Sequence, residues 1–565
     1  MQTLILIGFC NIIEILICVI VAFYTQTTGT RKENIMKTQV SKYAKKFFAV
    51  LLSAIMVLQT WGGLSFVSDA ATSTTPENGV IGVAFPADYA SYDFTQSDAY
   101  YISTAADLVN FAAASKSNEF VDITIHLAAN ITCTSDSFAG IGSADVPFCG
   151  TFDGHGYTIS GLYSTTSGLF LAAGSTANPV TIKNFTVDNA TISGTRGAVV
   201  VSTMYGNPQR AASGGNASAN PNAITDVTVT NSTATFTGNK CGIILGAGSG
   251  DDDATVITGC AVSETDLICS ASTTTNVQNW GIIVGYDGSV GMSSFSDCVV
   301  TNSTIIAEAC NFTGAGIIAG KITGNAPIDG CTVTGCSITS GLSTTTKTYD
   351  IGGIIGNVNS GSGSISNCTV TNTNITVKGL ANRVGLGIGN FRGGKAQNIV
   401  VTGGSVNASY SSADQAGQYG ALVGSFGNAK AELLNSSATG VTITCAGRAN
   451  AIGGLVGTIE HTADGSIIDG CTCADLIMKL TYGSSTSYGF SVGGAIGRIM
   501  DKAEVKNTKV TNATVNFGSL MYGMGGFVGY VSSTDGASTF TNCSVSGSTY
   551  TQDSTAATDS KSNDF

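Results

Sequence analysis

A short phrase, glycine followed by three mostly apolar residues and a second glycine, recurs through most of this chain and limits the folds open to it. Full copies are Gly242-Ile-Ile-Leu-Gly246, Gly281-Ile-Ile-Val-Gly285, Gly316-Ile-Ile-Ala-Gly320, Gly352-Gly-Ile-Ile-Gly356, Gly385-Leu-Gly-Ile-Gly389 and Gly420-Ala-Leu-Val-Gly424. Gly453-Gly-Leu-Val-Gly457, Gly493-Gly-Ala-Ile-Gly497 and Gly525-Gly-Phe-Val-Gly529 continue the series, and degenerate copies stand at Gly168-Leu-Phe-Leu-Ala172 and Gly197-Ala-Val-Val-Val201. Between Gly246 and Gly529 the final glycines are spaced by 39, 35, 36, 33, 35, 33, 40 and 32 residues. Self-similarity at such a period is the mark of a stacked array.

A second phrase follows each first one: Asn, Asp or Gly, then Cys, any residue and Val. Examples are Asp297-Cys298-Val-Val300, Gly330-Cys331-Thr-Val333, Asn367-Cys368-Thr-Val370 and Asn542-Cys543-Ser-Val545, with Asn507-Thr508-Lys-Val510 as a variant. Apolar residues around it alternate at a period near two, the strand signal, and no 3.6-residue period runs through the repeats. Each unit therefore holds two or three short strands joined by Gly/Asn/Ser turns. One unit cannot bury its apolar face, but units stacked at strand spacing can. A propeller is rejected, because eleven blades exceed the usual four to eight. The expected fold is all-β, a parallel β-solenoid of about 10–11 coils with a small N-terminal cap, and thus a rod on the order of 50 Å long.

Composition agrees. The 565 residues include 72 glycines and only 7 prolines; 43% are apolar and 11% charged, so there is a core to bury with few charges around it. Six of the 25 basic residues and three of the 37 acidic ones precede residue 71, leaving 19 against 34, a net of −15. This balance argues against nucleic acid or an anionic membrane as partner, since both require clustered Lys and Arg.

The boundaries follow from these patterns. Residues 1–35 form a hydrophobic leader, either a start codon placed too early or a genuine membrane segment. Residues 36–70 read as a signal peptide, with Lys37, Lys42, Lys45 and Lys46 as the charged region, Phe47 to Leu58 as the apolar region and Ser68-Asp69-Ala70 as the cleavage signal. Residues 71–98 are expected to be a linker, 99–165 the solenoid cap, 166–548 the repeats and 549–565 a polar disordered tail. The chain is thus expected to be secreted or displayed at the cell surface, touching membrane only through its leader. Within the cap, Thr104 and Asp107 are placed as a capping box before a short helix through Phe111 and Ala114.

These residues also carry a resemblance. Gly454-Leu-Val-Gly457 and Gly353-Ile-Ile-Gly356 are similar to the Gly-Leu-any-Gly repeat of the GLUG-motif surface proteins. Ile102-Ser-Thr-Ala-Ala-Asp107-Leu108, Ile125-His-Leu-Ala-Ala-Asn130-Ile131 and Phe148-Cys-Gly-Thr-Phe152-Asp153-Gly-His-Gly156-Tyr-Thr-Ile159 resemble the segment that leads into those repeats. The resemblance spans roughly residues 99–547. It implies an extracellular, bacterial, β-helical protein of the kind found in adhesins and in accessory regions of surface proteases.

Candidate chemistry is sparse. The three histidines, His126, His155 and His461, are far apart, and none has a carboxylate or Cys at metal-ligand spacing. His155, inside Asp153-Gly154-His155-Gly156, is read as a tight-turn residue. Gly389-Asn-Phe-Arg-Gly-Gly394-Lys395-Ala396 falls short of a phosphate-binding loop because Ala396 stands where Ser or Thr would hold magnesium. Asp251-Asp252-Asp253 lacks the alternating spacing of a calcium loop. No Gly-x-Ser-x-Gly elbow is present.

Sixteen cysteines in an exported chain ordinarily suggest disulfides, yet Cys260, Cys298, Cys331, Cys368, Cys471 and Cys543 share one repeat slot, filled elsewhere by Ser436 or Thr508. Buried free thiols in an inward ladder are expected instead. The sequons at Asn189, Asn231, Asn302, Asn374 and Asn512 are read as products of composition. Trp280, Tyr349, Tyr419, Tyr488 and Tyr522 precede the glycine phrase and would line one edge of the rod, either as a packed corner or as a stacking surface for sugars.

The resulting expectation is a non-enzymatic, adhesin-like binding rod or stalk, without cofactor or metal, whose partner is a glycan or a host or cell-surface protein. The alternative is a β-helical polysaccharide lyase or glycoside hydrolase. That reading needs convergent carboxylates, with Lys or Arg, on neighbouring coils.

Overall fold

The computed structural model describes residues 82–552 apart from short internal segments, of which 207–220 is the longest; the leader and signal peptide lie outside the described residues. Among the described residues, no helix is long and apolar enough to cross a membrane.

The chain winds as a parallel β-solenoid. One coil runs through Gly363–Ser366 and Thr369–Thr371 on the long face, then Asn374–Val377, Leu380–Gly385 and Ile388–Phe391, and returns to the long face at Gly394–Gln397. Each strand pairs in parallel with its equivalent one coil later, as in Val370↔Val401, Ile375↔Val406 and Ile388↔Val423. Such a unit holds five strands rather than the two or three expected, one of them added by the break at Asn367 and Cys368 that divides the long face. Among the described residues nine coils carry all four faces: the face containing Leu380–Gly385 has nine strands, its neighbour eleven and the third face twelve. The two N-terminal coils without the extra strand are those holding the degenerate phrases Gly168–Ala172 and Gly197–Val201.

The glycine phrase is the corner where two arms fold back on one another. The arm ending at Gly352 and the arm beginning at Ile355 approach to backbone contact. A Cβ on Gly352 would lie 2.0 Å from the Ile355 carbonyl oxygen, and one on Gly356 would lie 2.5 Å from both the Ala315 nitrogen and the Asp350 oxygen. No side chain fits at either place. The final glycine of one coil thus rests on the preceding coil, which is why both glycines recur.

The second phrase marks a different device. Its first residue takes a left-handed conformation, as at Asp297 (φ 54°), Asn367 (55°), Asn507 (47°) and Asn542 (53°), where Asn, Asp and Gly are the least strained choices. The next residue points inward and donates to the carbonyl two residues back: Cys368 to Ser366, Ser436 to Leu434, Thr508 to Lys506. Cys, Ser and Thr supply a small donor there, whereas Ile399, buried in the same slot after the left-handed Asn398, supplies none. A second left-handed turn follows at Asn189, Asn231, Asn302 and Asn512, so these four sequon asparagines are turn residues.

The inward side chains form one continuous core from Phe85 to Phe517. Its N-terminal end is closed by the helix Ala105–Ala114, whose Thr104/Asp107 capping box is formed and whose Phe111 packs against Phe85, Phe120 and Phe148. Two boundaries need correction. Val83 and Ala84 pair with Tyr100 and Tyr101, and Phe85 and Phe94 are buried, so the expected linker from residue 82 onward belongs to the cap. Thr549–Gln552 pairs with Thr514–Phe517, so the expected tail begins with a strand.

The fourteen described cysteines form no disulfide, and all but Cys133 and Cys543 are buried. The closest pair, Cys269 and Cys310, has its sulfur atoms 2.9 Å apart. Burial pushes the Cys336 thiol from 9.0 up to about 11 and the Cys473 thiol up to about 12.

Two outcomes are expected. Gly356→Ala should lower stability by about 1–3 kcal/mol or more through overpacking, whereas Gly361→Ala, with only Ala429 Cβ at 3.6 Å, should be nearly neutral; denaturant midpoints of the two variants check this. Thiol titration of the denatured, unreduced chain should find most of the fourteen thiols free, while the native chain reacts slowly at pH 8. Because folding raises these pKa values, their contribution to stability is intact below about pH 9 and declines as pH rises toward 11. A midpoint that rises between pH 8 and 10 would contradict that sign.

Candidate functional site

The two arms that meet at the glycine corner turn polar side chains toward each other. On the arm after the corner, parallel register stacks Tyr286, Lys321, Asn357, Asn390, Ser425, Thr458, Arg498 and Tyr530 into one column. Facing it on the other arm stand Tyr349, Asp350, Asn382, Arg383 and Gln418. Asp350 and Arg383 hold left-handed backbones (φ 60° and 58°) on consecutive coils. Cross-bonds tie the columns together. Asn357 Nδ2 donates to Asp350, Arg383 pairs with Asp350 and lies over the Tyr349 ring, and Gln418 and Ser425 both donate to Glu460 Oε1 at 2.8 and 3.1 Å. Arg498 donates to Asn450 Oδ1 and lies over Tyr530. Burial raises the Asp350 pKa, with Arg383, Asn357 and Lys321 opposing the rise.

This seam is polar but not self-satisfied. Asn357 Oδ1, Asn382 Oδ1, Asn390 Oδ1, Gln418 Oε1, Thr458 Oγ1 and Arg498 Nε are buried without a hydrogen-bond partner among the described residues. Asn390 is only 2% exposed and Thr458 1%. Each such group costs about 1–3 kcal/mol if left unpaired, so six along one seam is a large imbalance unless something else satisfies them.

The aromatic residues expected along an edge do not form one surface. Trp280 is fully buried (0% exposed), donating from Nε1 to the Gly238 oxygen and packing against Phe312, and Tyr419 is 4% exposed. Neither ring has a face left for a sugar, because both lie inside the coil, so the stacking edge is corrected at these two positions. Tyr349 is half-buried beside Arg383. Tyr488 and Tyr522 lie outside the described residues, as do His461 and Asp251 to Asp253. Gly389 to Ala396 links two strands, with no helix to hold a phosphate.

A second cluster lies on the long face near the cap. His126, Asp153 and Lys183 occupy the same register position on three successive strands, although 27 and 30 residues separate them in sequence. His155 sits in the tight turn Gly154–Tyr157 with φ 48°, its turn closed by Tyr157 N–H to Gly154 oxygen at 2.8 Å. That turn lays its ring on the preceding coil, where His155 Nε2 is 2.7 Å from His126 Nδ1. Asp153 accepts from the His155 amide, Asn184 Nδ2 and Lys183 Nζ at 3.1, 3.2 and 3.0 Å. Partial burial opposes ionisation of Asp153, but these three donors outweigh it and hold the carboxyl below its ordinary value. Burial, then His155 and Lys183, lower the His126 pKa. Histidines that seem isolated in sequence thus have a carboxylate and a lysine beside them. Coil stacking makes neighbours of residues one repeat apart, and the only sequence signal would have been alignment of these irregular N-terminal coils. An imidazole pair, a carboxylate and an ammonium on one face form a set able to exchange protons or hold a cation.

No protein-family model matches the chain, and no curated protein matches it. Among solved structures, it is similar to a "putative immunoglobulin A1 protease" from Bacteroides ovatus, at 20% identity and TM-score 0.34, over 49% of this chain and 77% of that one. It is also similar to the A-module of the mannuronan C-5 epimerase AlgE6 from Azotobacter vinelandii, at 12% identity and TM-score 0.26, over 80% and 99%. Both are named as enzymes, and the expectation that the chain is non-enzymatic is withdrawn. At such similarity the likeness assigns no reaction or substrate to this chain.

Trp280→Ala should cost about 3–5 kcal/mol, as for a buried aromatic, and Tyr349→Ala distinctly less. Urea denaturation of the two variants checks the order, and equal small losses would place Trp280 at the surface.

Proposed function

We propose that the chain is an exported β-solenoid, secreted or held at the cell surface, that binds an extended glycan along the polar seam in the manner of an adhesin. The observation that carries this reading is the column of half-buried polar side chains Tyr286, Lys321, Asn357, Arg498 and Tyr530, set at one register position on successive coils. A polymer bearing many hydroxyl groups is the partner that such a row suits. Its hydroxyls exchange hydrogen bonds with the half-buried groups, and its length follows a column whose spacing is that of stacked strands, about 4.8 Å. Lys321, Arg383 and Arg498 add positive charge to the seam of an otherwise acidic protein, which admits sugars carrying scattered carboxylates. The resemblance to GLUG-motif surface proteins and the signal-peptide pattern support the location.

Lys321→Met separates binding from folding. The Lys321 side chain is half-buried at the seam and its aliphatic stem is kept, so stability should hold, while retention on a glycan found by array screening should fall about 10-fold, equivalent to ~1.4 kcal/mol. Undiminished retention would overturn the proposal.

A further inference from the structure

We propose that His126, Asp153 and His155 bind one divalent transition-metal ion of the zinc, copper and nickel class. One ligand atom from each of the three lies within 4.8 Å of the others. The two imidazole nitrogens already face each other at 2.7 Å. Two histidines bound to one zinc at about 2.0–2.1 Å per bond need their nitrogens only slightly farther apart. Two nitrogen ligands and one carboxylate favour this class over calcium or magnesium, which take oxygen.

The ligands are held before any ion arrives. His126 and Asp153 sit opposite one another on paired strands, and the His155 amide and Asn184 Nδ2 fix one oxygen of the carboxylate. Such outer partners orient metal ligands. His155 adopts its left-handed backbone between two glycines, the arrangement that brings its ring onto the preceding coil. Three protein ligands would leave positions open for water or for a group of a bound molecule.

The bland alternative is that the cluster is complete as it stands, a histidine pair beside an Asp153–Lys183 ion pair. Lys183 decides between the two. Its ammonium occupies Asp153 Oδ2 at 3.0 Å and would repel an incoming cation, but its side chain is 36% exposed and free to swing into solvent. A metal site therefore makes a prediction that a structural cluster does not: removing the Lys183 charge should tighten binding.

The test uses the full chain stripped with a chelator and titrated with zinc, and with cobalt as a spectroscopic stand-in. Expected are one ion per chain, cobalt d–d absorption without thiolate charge transfer, weakening of about 10- to 100-fold or more in His126→Ala and His155→Ala, and tighter binding in Lys183→Met. Copper resonance of the unmodified chain should show coupling to two imidazole nitrogens, which keeps the test decisive should a histidine variant misfold. Absence of stoichiometric binding, binding unchanged in both histidine variants, or a copper spectrum without nitrogen coupling overturns the proposal.

Discussion

The close approach of two backbone arms at the glycine corner is the contact on which the rest of the rod depends. With Gly356 lying against the Ala315 nitrogen and the Asp350 oxygen, each coil rests on the one before it at a distance that no side chain permits. The apolar residues between the glycines then fill the core on one side, as Ile354 and Ile355 do. On the other side the facing columns of polar side chains come within hydrogen-bonding reach. Polar seam and core are two consequences of the same missing Cβ atoms.

The left-handed turns complete the coil. An Asn, Asp or Gly at each bend relieves the steric cost of positive φ, and the inward Cys, Ser or Thr that follows ties the bend to the strand before it. Side-chain ladders on the outside connect the bends of successive coils, as where Asn398 Nδ2 donates to Asn367 Oδ1 at 2.9 Å and Asn542 Nδ2 to Asn507 Oδ1 at 3.1 Å. The cysteines are thus interchangeable with hydroxyl residues for a local reason, which accounts for their shared slot without any cross-link.

The polar seam and the histidine cluster differ in kind. The seam repeats with the coil, spans many of them and faces one column of polar side chains with another. The histidine cluster is confined to the irregular coils beside the cap, has nearly all its groups engaged, and could hold only something as small as an ion. Their separation along the rod leaves room for a polymer to be bound at one place and a metal held at another.

The sequence by itself determined the solenoid, its repeat and its capped N-terminal end, because spacing of glycine phrases, strand alternation and a capping box are local patterns that each coil must satisfy alone. It also determined a slot of mostly small inward residues, where Cys, Ser and Thr alternate, but not the hydrogen bonds they donate there. It did not determine how many faces each coil has, that Trp280 and Tyr419 turn inward, or that His126, Asp153, His155 and Lys183 converge. Those were decided only by the tertiary structure. Stacking brings residues about one repeat apart into contact, and the direction a side chain faces depends on where the backbone bends, which a single left-handed residue can reverse.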